Sequence, residues 1–434
     1  MLKKFIKKFL PARLLNRYHL ILAQVASLLY RQPSDSMIVI GITGTSGKST
    51  VCELLWHILN QTGQRVGLAS GIRFCDGVKS IPNNTKMTML GRFELQHWLS
   101  RMKTHGCRYA IIEVTSQGLA QHRQVGINFD LALITNFWSE HDRAHGGLEA
   151  YKQAKGILFA SLTKNKHKII DGQEILKTIV TNADSDANEY FSSFQADQKK
   201  TFALEHSADV QAKKIKLKAH GSEFNVGNSI CQLPLLGKHN IANALAAIAA
   251  ASGVGLTIEQ AARSLATLSP MPGRMEFINQ GQNFTIIVDY AFEPKAMEQL
   301  YTVIKFLPHK KIIHVLGTTG GGRDTKRGEI LGGMAAQTAD YVIATDEDPY
   351  DDDPMMLIQR VVTGAQNNGK ELDQNLFIKE KRLDGIAKGI SLAEKGDIVL
   401  ITGKGSEGSM CIANGKKIPW DDREVVREIL KSLK

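Results

Sequence analysis

"GITGTSGKST", Gly41 to Thr50, directly follows the apolar run Met37–Ile40. A glycine-rich turn between an apolar strand and a helix, closed by Lys-Ser, aims backbone N–H groups and a helix N-terminus at a phosphate chain. The strict pattern G-x-x-x-x-G-K-[ST] would place its first glycine at position 42, which is Ile42; the glycines fall instead at Gly41, Gly44 and Gly47. The order of strand, turn, Lys-Ser and helix still reads as a nucleotide loop rather than a structural turn with an incidental lysine. Lys48 then reaches the β- and γ-phosphates, and Ser49 ligates Mg²⁺.

Outward from this loop, apolar runs alternate with helical patterns. Strands are expected at Met37–Thr43, Tyr109–Val114, Leu131–Thr135 and Ile179–Asn182, with helices at Ser49–Gln61, Glu149–Leu162 and Asn240–Ala251. Such alternation predicts an α/β fold with a mainly parallel sheet under helices on both faces. The interval from Ala208 to Leu236 breaks the rhythm and reads as antiparallel hairpins. "LSPMPGRME", Leu268–Glu276, reads as a linker, after which the alternation restarts. Strands are expected at Phe284–Tyr290, Ile312–Leu316, Tyr341–Thr345 and Asp397–Thr402, with helices at Pro294–Phe306 and Leu357–Gln366. This second, Rossmann-like α/β domain lacks a G-x-G-x-x-G fingerprint. The expected boundaries are 1–36 for an N-terminal segment, 37–269 for a central nucleotide-binding domain and 270–434 for the C-terminal domain. Ligands of such sheets gather at the carboxyl ends of the strands, so the phosphate loop and the loops after Leu316, Thr345 and Thr402 are expected to face one cleft.

Composition sets bounds. The 434 residues are 43% hydrophobic and 22% charged, which suits a soluble globular protein of two or three domains. The five cysteines are scattered with no CxxC pair, against a disulfide framework or a zinc site and in favour of the cytoplasm. A net charge of +11 points to an anionic partner. Nucleic acid is not expected, because no basic–aromatic interleaving or known module accompanies the charge. "MLKKFIKKFLPARLL" is basic and amphipathic, and "YHLILAQVASLLY" is shorter than the roughly 20 residues that span a bilayer. One or two short helices packed on the body are expected there, with weak contact to an anionic membrane surface as the alternative.

Several stretches narrow the chemistry. Glu113 ends an apolar strand in "AIIEVTSQGLAQHR", where a carboxylate beside the phosphate loop suits a metal. "TNFWSEHDRAHGG" places His141 and His145 at helical spacing. Lys155, in "EAYKQAKGILF", reads most simply as a snorkelling lysine on an amphipathic helix. Asn240 and Asn243 share a helix face in "LLGKHNIANALAA", and Arg274 and Asp289 follow in the linker and at a strand end.

In their order and spacing, "TGTSGKST", "EVTSQGLAQHR", "TN…EHDRAHGG", "YKQAK", "GKHNIANALAA", "MPGRME", "VDYAFEPKA" and "TGKGSEG" resemble the Mur ligases, most closely those of UDP-N-acetylmuramoyl-tripeptide synthetase (MurE) type. The resemblance runs from Met37 to near the C-terminus and includes the Gly41/Gly44 loop variant. It implies ATP-dependent, ADP-forming amide synthesis for peptidoglycan precursors: a muramoyl-peptide carboxylate takes the γ-phosphoryl group, and the amine of a free amino acid displaces phosphate from the acyl phosphate. By the same resemblance Ser49, Glu113 and His141 hold magnesium, and Lys155 carries a carbamate that ligates a second magnesium. Lys48, Lys155, His141 and Arg274 are the catalytic set. Gly44, Thr45, Ser46, Gly47, Lys48, Ser49, Thr50, Asn243, Arg274 and Asp289 contact ATP. Thr85, Thr115, Gln121 and Arg123 contact the muramoyl-peptide; Arg327, Asp348, Gly403 and Glu407 contact the amino acid.

The sequence departs from the family in four places. Only residues 1–36 precede the P-loop strand, where the family carries a domain for uridine diphosphate. Phe292 and Ser406 each stand in place of a histidine, and Tyr350 replaces an arginine that grips the far carboxylate of diaminopimelate. The loop "ATDEDPYDDDP" is acidic, with Asp346, Glu347, Asp348, Asp351, Asp352 and Asp353, and therefore predicts lysine or a similar basic amino acid as substrate. A folylpolyglutamate-synthase-like ligase of the same superfamily is the alternative. A non-catalytic nucleotide-binding regulator is the other, and intact Lys48, Glu113, His141 and Lys155 argue against it.

Overall fold

A computed structural model describes residues 12–138, 146–322 and 325–433. His141 and His145, and with them the expected histidine ligand, lie outside the described residues. The chain divides into two compact units, Met1–Ser269 and Pro270–Lys434.

The first unit opens with helix α1 (Ala12–Leu29), a single 18-residue element. Ser27 Oγ donates to Gly126 O at 3.2 Å, and Asn16 Oδ1 lies 2.7 Å from His122 Nε2, which fixes α1 to the body. No described helix is long and apolar enough to cross a membrane.

The large sheet of this unit runs, among the described residues, in the order β11-β10-β9-β6-β1-β5-β2-β3-β4. Its strands are β1 (Ile38–Thr43), β2 (Val66–Ala69), β3 (Arg73–Asp76), β4 (Ser80–Pro82), β5 (Tyr109–Glu113), β6 (Leu131–Ile134), β9 (Thr178–Asn182), β10 (Gln198–Ala203) and β11 (Val210–Gln211). The short hairpin β7 (Lys168–Ile170) and β8 (Gln173–Ile175) lies outside it. All neighbours are parallel except at the edge, where β3 pairs antiparallel with both β2 and β4.

Continuous apolar runs make β1 and β5 central strands buried on both faces. Alternation sends Val39, Ala110, Ile112, Ala132 and Ile134 into one core, beneath Leu95, Leu99 and Met102 of α3 (Arg92–Thr104) and Leu158, Phe159 and Leu162 of α5 (Leu148–Leu162). The short α4 (Ser116–Ala120) lies between them in the chain. The opposite face is covered by α2 (Lys48–Asn60) and α7 (Lys238–Gly253), which pack on each other. Helices α6 (Asn188–Ser192) and α8 (Ile258–Ser264) complete the unit.

The expected hairpins appear as an antiparallel sheet of β12 (Lys213–Lys218), β13 (Gly221–Val226) and β14 (Ser229–Leu233). The start of that interval behaves differently, since β11 joins the large sheet in parallel with β10.

The second unit holds a sheet of order β15-β16-β20-β17-β18-β19, parallel except for β15 against β16. Its strands are β15 (Glu276–Ile278), β16 (Thr285–Asp289), β17 (Ile312–Leu316), β18 (Tyr341–Thr345), β19 (Leu376–Lys379) and β20 (Ile398–Thr402). Around it lie α9 (Pro294–Phe306), α10 (Arg327–Thr338), α11 (Pro354–Gln366), α12 (Arg382–Ser391) and α13 (Asp422–Ser432). The core is Ile286, Val288, Ile313, Val315, Ile343, Val399 and Ile401. The predicted α/β class holds in both units.

Candidate active site

Register brings the first site together. In the parallel pairing, Ile42 of β1 sits opposite Glu113 of β5 and Thr43 sits opposite Ile134 of β6, so three strands end side by side. The P-loop leaves β1 at that edge. Because Ile112 points into the α3/α5 core, alternation turns Glu113 to the α2 side, where Ser49 sits in the first turn of the helix.

The loop's backbone is specified closely. Gly47, the N-cap of α2, has φ of 75°, and a Cβ there would lie 2.3 Å from Asn243 Oδ1. A Cβ on Gly44 would lie 1.9 Å from Thr135 Oγ1. The residues after β6 hold the loop from the side: Thr45 N donates to Asn136 O at 3.0 Å and Ser46 N to Asn136 Oδ1 at 2.9 Å. Thr135 Oγ1 and Asn136 Nδ2 donate to Ser46 O at 2.6 and 3.2 Å. Thr135 and Asn136 were not singled out from the sequence, although "TN" opens one of its motifs.

Ser49 Oγ donates to Glu113 Oε1 at 3.0 Å, and Gly71 N donates to Glu113 Oε2 at 2.6 Å. Glu113 is buried, 2% exposed. A hydroxyl and a carboxylate side by side at a phosphate loop fit Mg²⁺, which is commonly held by one or two carboxylates with phosphate oxygens and waters completing its octahedron. Among the described residues no group of three or more His, Cys, Asp or Glu side chains could hold a metal alone.

Lys48 Nζ folds over the loop, donating to Gly44 O at 3.0 Å and Thr45 O at 2.9 Å. Lys155 Nζ donates to the same Gly44 O at 2.7 Å and lies 4.3 Å from the Tyr151 ring centroid. Its side chain is buried, with the residue 1% exposed. The snorkelling reading of Lys155 is therefore wrong: its amine is carried inward to the phosphate loop. Asn243 is held by its Nδ2 donating to Asn240 Oδ1 at 3.2 Å. Thr50, one turn into α2, is also buried.

Of the residues expected to meet the acceptor, Thr115 caps α4 by accepting from Gly118 N at 3.1 Å. Gln121 Oε1 accepts from Arg123 Nη2 at 2.8 Å, while Arg123 Nη1 donates to Met89 O. Thr85 Oγ1 donates to Asn83 Oδ1 at 2.6 Å. Sequence reading missed Arg92, whose Nη2 donates to Gln121 O and whose Nε is buried with no hydrogen-bond partner. Burial holds both guanidiniums below their usual range, and for Arg123 the charge of Arg92 adds to the effect. No carboxylate pairs with either among the described residues. Two converging, partly desolvated guanidiniums without a counter-anion suit a ligand's anionic group. The signal was the arginine in "GRFELQ", which no motif marked.

In the second unit, Asp289 accepts from Met275 N and Ala291 N, each at 2.7 Å, and burial raises its carboxyl pKa. Arg274 stacks on Tyr290 at 4.4 Å, and its Nε is buried without a hydrogen-bond partner. Elsewhere Lys404, fully buried, donates to Asp348 Oδ1 and Glu407 Oε2, both at 2.9 Å, and to Ser409 O at 2.8 Å. Gly403 has φ of 108°, and a Cβ there would lie 2.3 Å from Glu347 Oε2. Asp348, Gly403 and Glu407 thus form one cluster, organised by a lysine the sequence analysis left out. Arg327 Nη1 donates to Glu293 Oε1 at 2.8 Å, and its guanidinium lies 5.6 Å from the Phe292 ring centroid.

The acids of the Asp346–Asp353 loop also shape it. Asp352 and Asp351 accept from Gly321 N and Asn414 N, and Asp353 caps α11. Glu347 accepts from Thr319 Oγ1 at 2.6 Å. Burial pushes the Asp346 carboxyl up to about 6, with neighbouring Asp348 adding to the rise.

A profile of the Mur ligase middle domain matches residues 42–251, and one of the Mur ligase glutamate ligase domain matches 273–405. The UDP-N-acetylmuramoyl-L-alanyl-D-glutamate–2,6-diaminopimelate ligase of Geobacillus kaustophilus is 32% identical over 427 residues, covering 97% of this chain and 84% of the relative. The chain belongs to the Mur ligase family. Another relative of this Mur ligase, the UDP-N-acetylmuramyl-tripeptide synthetase of a Roseiflexus species, is 33% identical over 431 residues, covering 98% and 84% of the two chains. A solved structure of a UDP-N-acetylmuramoyl-L-alanyl-D-glutamate–2,6-diaminopimelate ligase superposes with a TM-score of 0.60 at 27% identity, covering 92% of this chain and 79% of that one.

Proposed function

We propose that this Mur ligase is an ATP-dependent, ADP-forming amide ligase that joins a free amino acid to the carboxylate of a muramoyl-peptide acceptor in the cytoplasm. The observation that carries the reading is the Ser49–Glu113 pair closing on a P-loop whose Gly44 carbonyl receives both Lys48 and Lys155. The relatives' own names supply the substrate class. All five cysteines are free and buried, which suits a reducing compartment.

In this reading the P-loop amides and Lys48 hold the phosphates, with Lys48 transferring its donors from Gly44 O and Thr45 O to the β/γ-oxygens. Ser49, Glu113 and His141 would hold Mg²⁺, which would neutralise phosphate charge when bound. Asn243, Arg274 and Asp289 contact ATP. Arg92 and Arg123, with Thr85, Thr115 and Gln121, orient the acceptor so that its carboxylate oxygen attacks the γ-phosphorus and ADP leaves. The amine of the amino acid then attacks the acyl carbon, expelling inorganic phosphate and losing a proton. Lys155 reacts as the neutral amine with CO₂, losing a proton to give a carbamate; its buried amine, held against Gly44 O, supports a ligand role over a solvent-facing one.

Arg327, Asp348, Gly403 and Glu407 receive the amino acid. Tyr350 in place of arginine, beside Asp346, Glu347 and Asp348, favours lysine or a similar basic amino acid over meso-diaminopimelate. The test is phosphate release with ATP and Mg²⁺, screened over UDP-muramoyl-dipeptide, folate and a panel of amino acids. Stimulation by the muramoyl acceptor with kcat/KM higher for lysine is expected. Stimulation by folate alone would replace the acceptor, a preference for diaminopimelate would overturn the amino-acid assignment, and no stimulation would sink the ligase reading.

A further inference from the structure

Helix α1 is docked by one face only. Ala23, Ala26 and Ser27 are buried, while Leu14, Tyr18, Ile21, Val25, Leu28 and Leu29 are 47–68% exposed. At about 100° per residue these six positions fall within a stripe roughly 100° wide. Arg17 is exposed on its flank, and Arg31 is exposed in the turn that follows the helix. The sequence adds Arg13 at the start of α1 and, upstream, Lys3, Lys4, Lys7 and Lys8, interleaved with Leu2, Phe5, Ile6, Phe9 and Leu10. The first acidic residue of the chain is Asp35, so seven cations precede it with no anion among them.

An apolar stripe of this length needs a cover, and the charge selects it. A second copy docking through the same stripe would find no acid on either helix to pair the other's cations. A surface of anionic lipid headgroups accepts both features: the stripe enters the acyl boundary and the cations meet the headgroups. We propose that α1, with the basic residues ahead of it, docks this protein on anionic lipid bilayers with the helix lying in the interface plane. This surface stands independently of the ligase reading.

The full-length protein would be sedimented with vesicles of phosphatidylglycerol and phosphatidylcholine, and with vesicles of phosphatidylcholine alone, at 0.1 and 0.5 M salt. Binding to the anionic vesicles, weakened by salt, is expected. Replacing Lys3, Lys4, Lys7 and Lys8 by Gln should weaken partitioning about fivefold per cation removed. Ile21→Asp with Leu28→Asp should abolish it while leaving the thermal melt intact, because both side chains are exposed. A Val25→Trp reporter should shift its emission to the blue only when anionic vesicles are added.

Equal binding to the two vesicle types, or none, overturns the proposal. An emission already blue-shifted without lipid would show that residues 1–11 cover the stripe themselves. A dimer by light scattering that Ile21→Asp dissolves would assign the face to a second copy.

Discussion

Gly47 and Gly63 form a matched pair inside one unit. Their φ values are 75° and 77°, so replacing either by alanine imposes the same left-handed backbone on a residue with a Cβ. That cost is about 1–2 kcal/mol, and the unfolded-state entropy lost by replacing glycine is common to both. The surroundings differ. At Gly63 a Cβ meets nothing within 4 Å; at Gly47 it meets Asn243 Oδ1 at 2.3 Å, about 1.1 Å short of the 3.4 Å where ordinary contact begins. Relieving that overlap either moves the phosphate loop or turns the Asn243 amide away from Asn240 Oδ1, and adds up to about 1–3 kcal/mol of overpacking. Gly63→Ala should therefore lower Tm by a few degrees, at roughly 2–4 °C per kcal/mol, and Gly47→Ala by about twice as much. The functional contrast should be larger. A displacement near 1 Å at a phosphate cradle costs on the order of 100-fold in turnover, whereas Gly63→Ala should leave ATP turnover unchanged. Scanning calorimetry and ADP release measured on both variants decide the matter. Adding Asn243→Ala to Gly47→Ala should recover part of the Tm loss, because it removes the contacted atom. Equal Tm losses and equal turnover in the two single variants would refute the reasoning.

Three other outcomes are expected. Lys155→Ala should lose amide synthesis yet recover part of it with formate or acetate, which return a carboxylate beside Gly44; retention of near-wild-type turnover would remove Lys155 from the chemistry. Arg382 and Asp422 are both fully buried and paired at 2.7 Å, so Arg382→Leu should destabilise the second unit by about 3–5 kcal/mol in denaturant melts by stranding a carboxylate. Arg382→Leu with Asp422→Leu should cost less than that single change, and an additive loss would contradict it. Asp346 binds its proton more tightly folded than unfolded, with a pKa near 6 against 3.8. Its contribution is therefore greatest below pH 3.8 and is lost as pH rises to about 6, so Asp346→Asn should gain on wild type by up to roughly 3 kcal/mol over that window and stay level above it. A stability difference that does not change with pH would dismiss this assignment.

What could be read from the chain was what local chemistry specifies. The P-loop strand, Pro294–Phe306, Ile312–Leu316 and Tyr341–Thr345 were visible as uninterrupted periodic or apolar runs bounded by turn residues. The edge strands β2 to β4 were not, because they are short and, unlike the equally short apolar run of β6, are broken by Gly67, Arg73, Asp76 and Ser80. Ser49 and Glu113 could be named separately, but their contact depends on the register of β1 against β5, a relation across 64 positions. Helical spacing alone left Lys155 looking like a solvent-facing lysine for the same reason, and only the family resemblance drew it to the site; the acceptor that draws it inward, Gly44 O, is 111 residues away. Asp130 is the extreme case. It takes Lys168 and Lys177 at 2.5 and 2.8 Å and the amide of Val39 at 2.8 Å, a buried charge cluster assembled from segments far apart in the chain and leaving no local pattern. Charge in the Asp346–Asp353 loop was legible as composition, while its division among caps, turns and the Lys404 cluster was not.

Thr135 and Asn136 grip Thr45 and Ser46 through five hydrogen bonds, all within the protein. A loop that folded around its ligand would have to order itself on every arrival and melt on every departure. Here the shape belongs to the scaffold, so a nucleotide entering spends none of its binding energy on ordering Thr45 and Ser46, and one leaving takes no local fold away with it. Affinity and lifetime are thereby separated from folding: the grip on phosphate can be tuned by Lys48 and the metal donors alone. The rhythm of a catalytic cycle is then set by chemistry and by motions elsewhere, with this turn acting as fixed bearing rather than moving part.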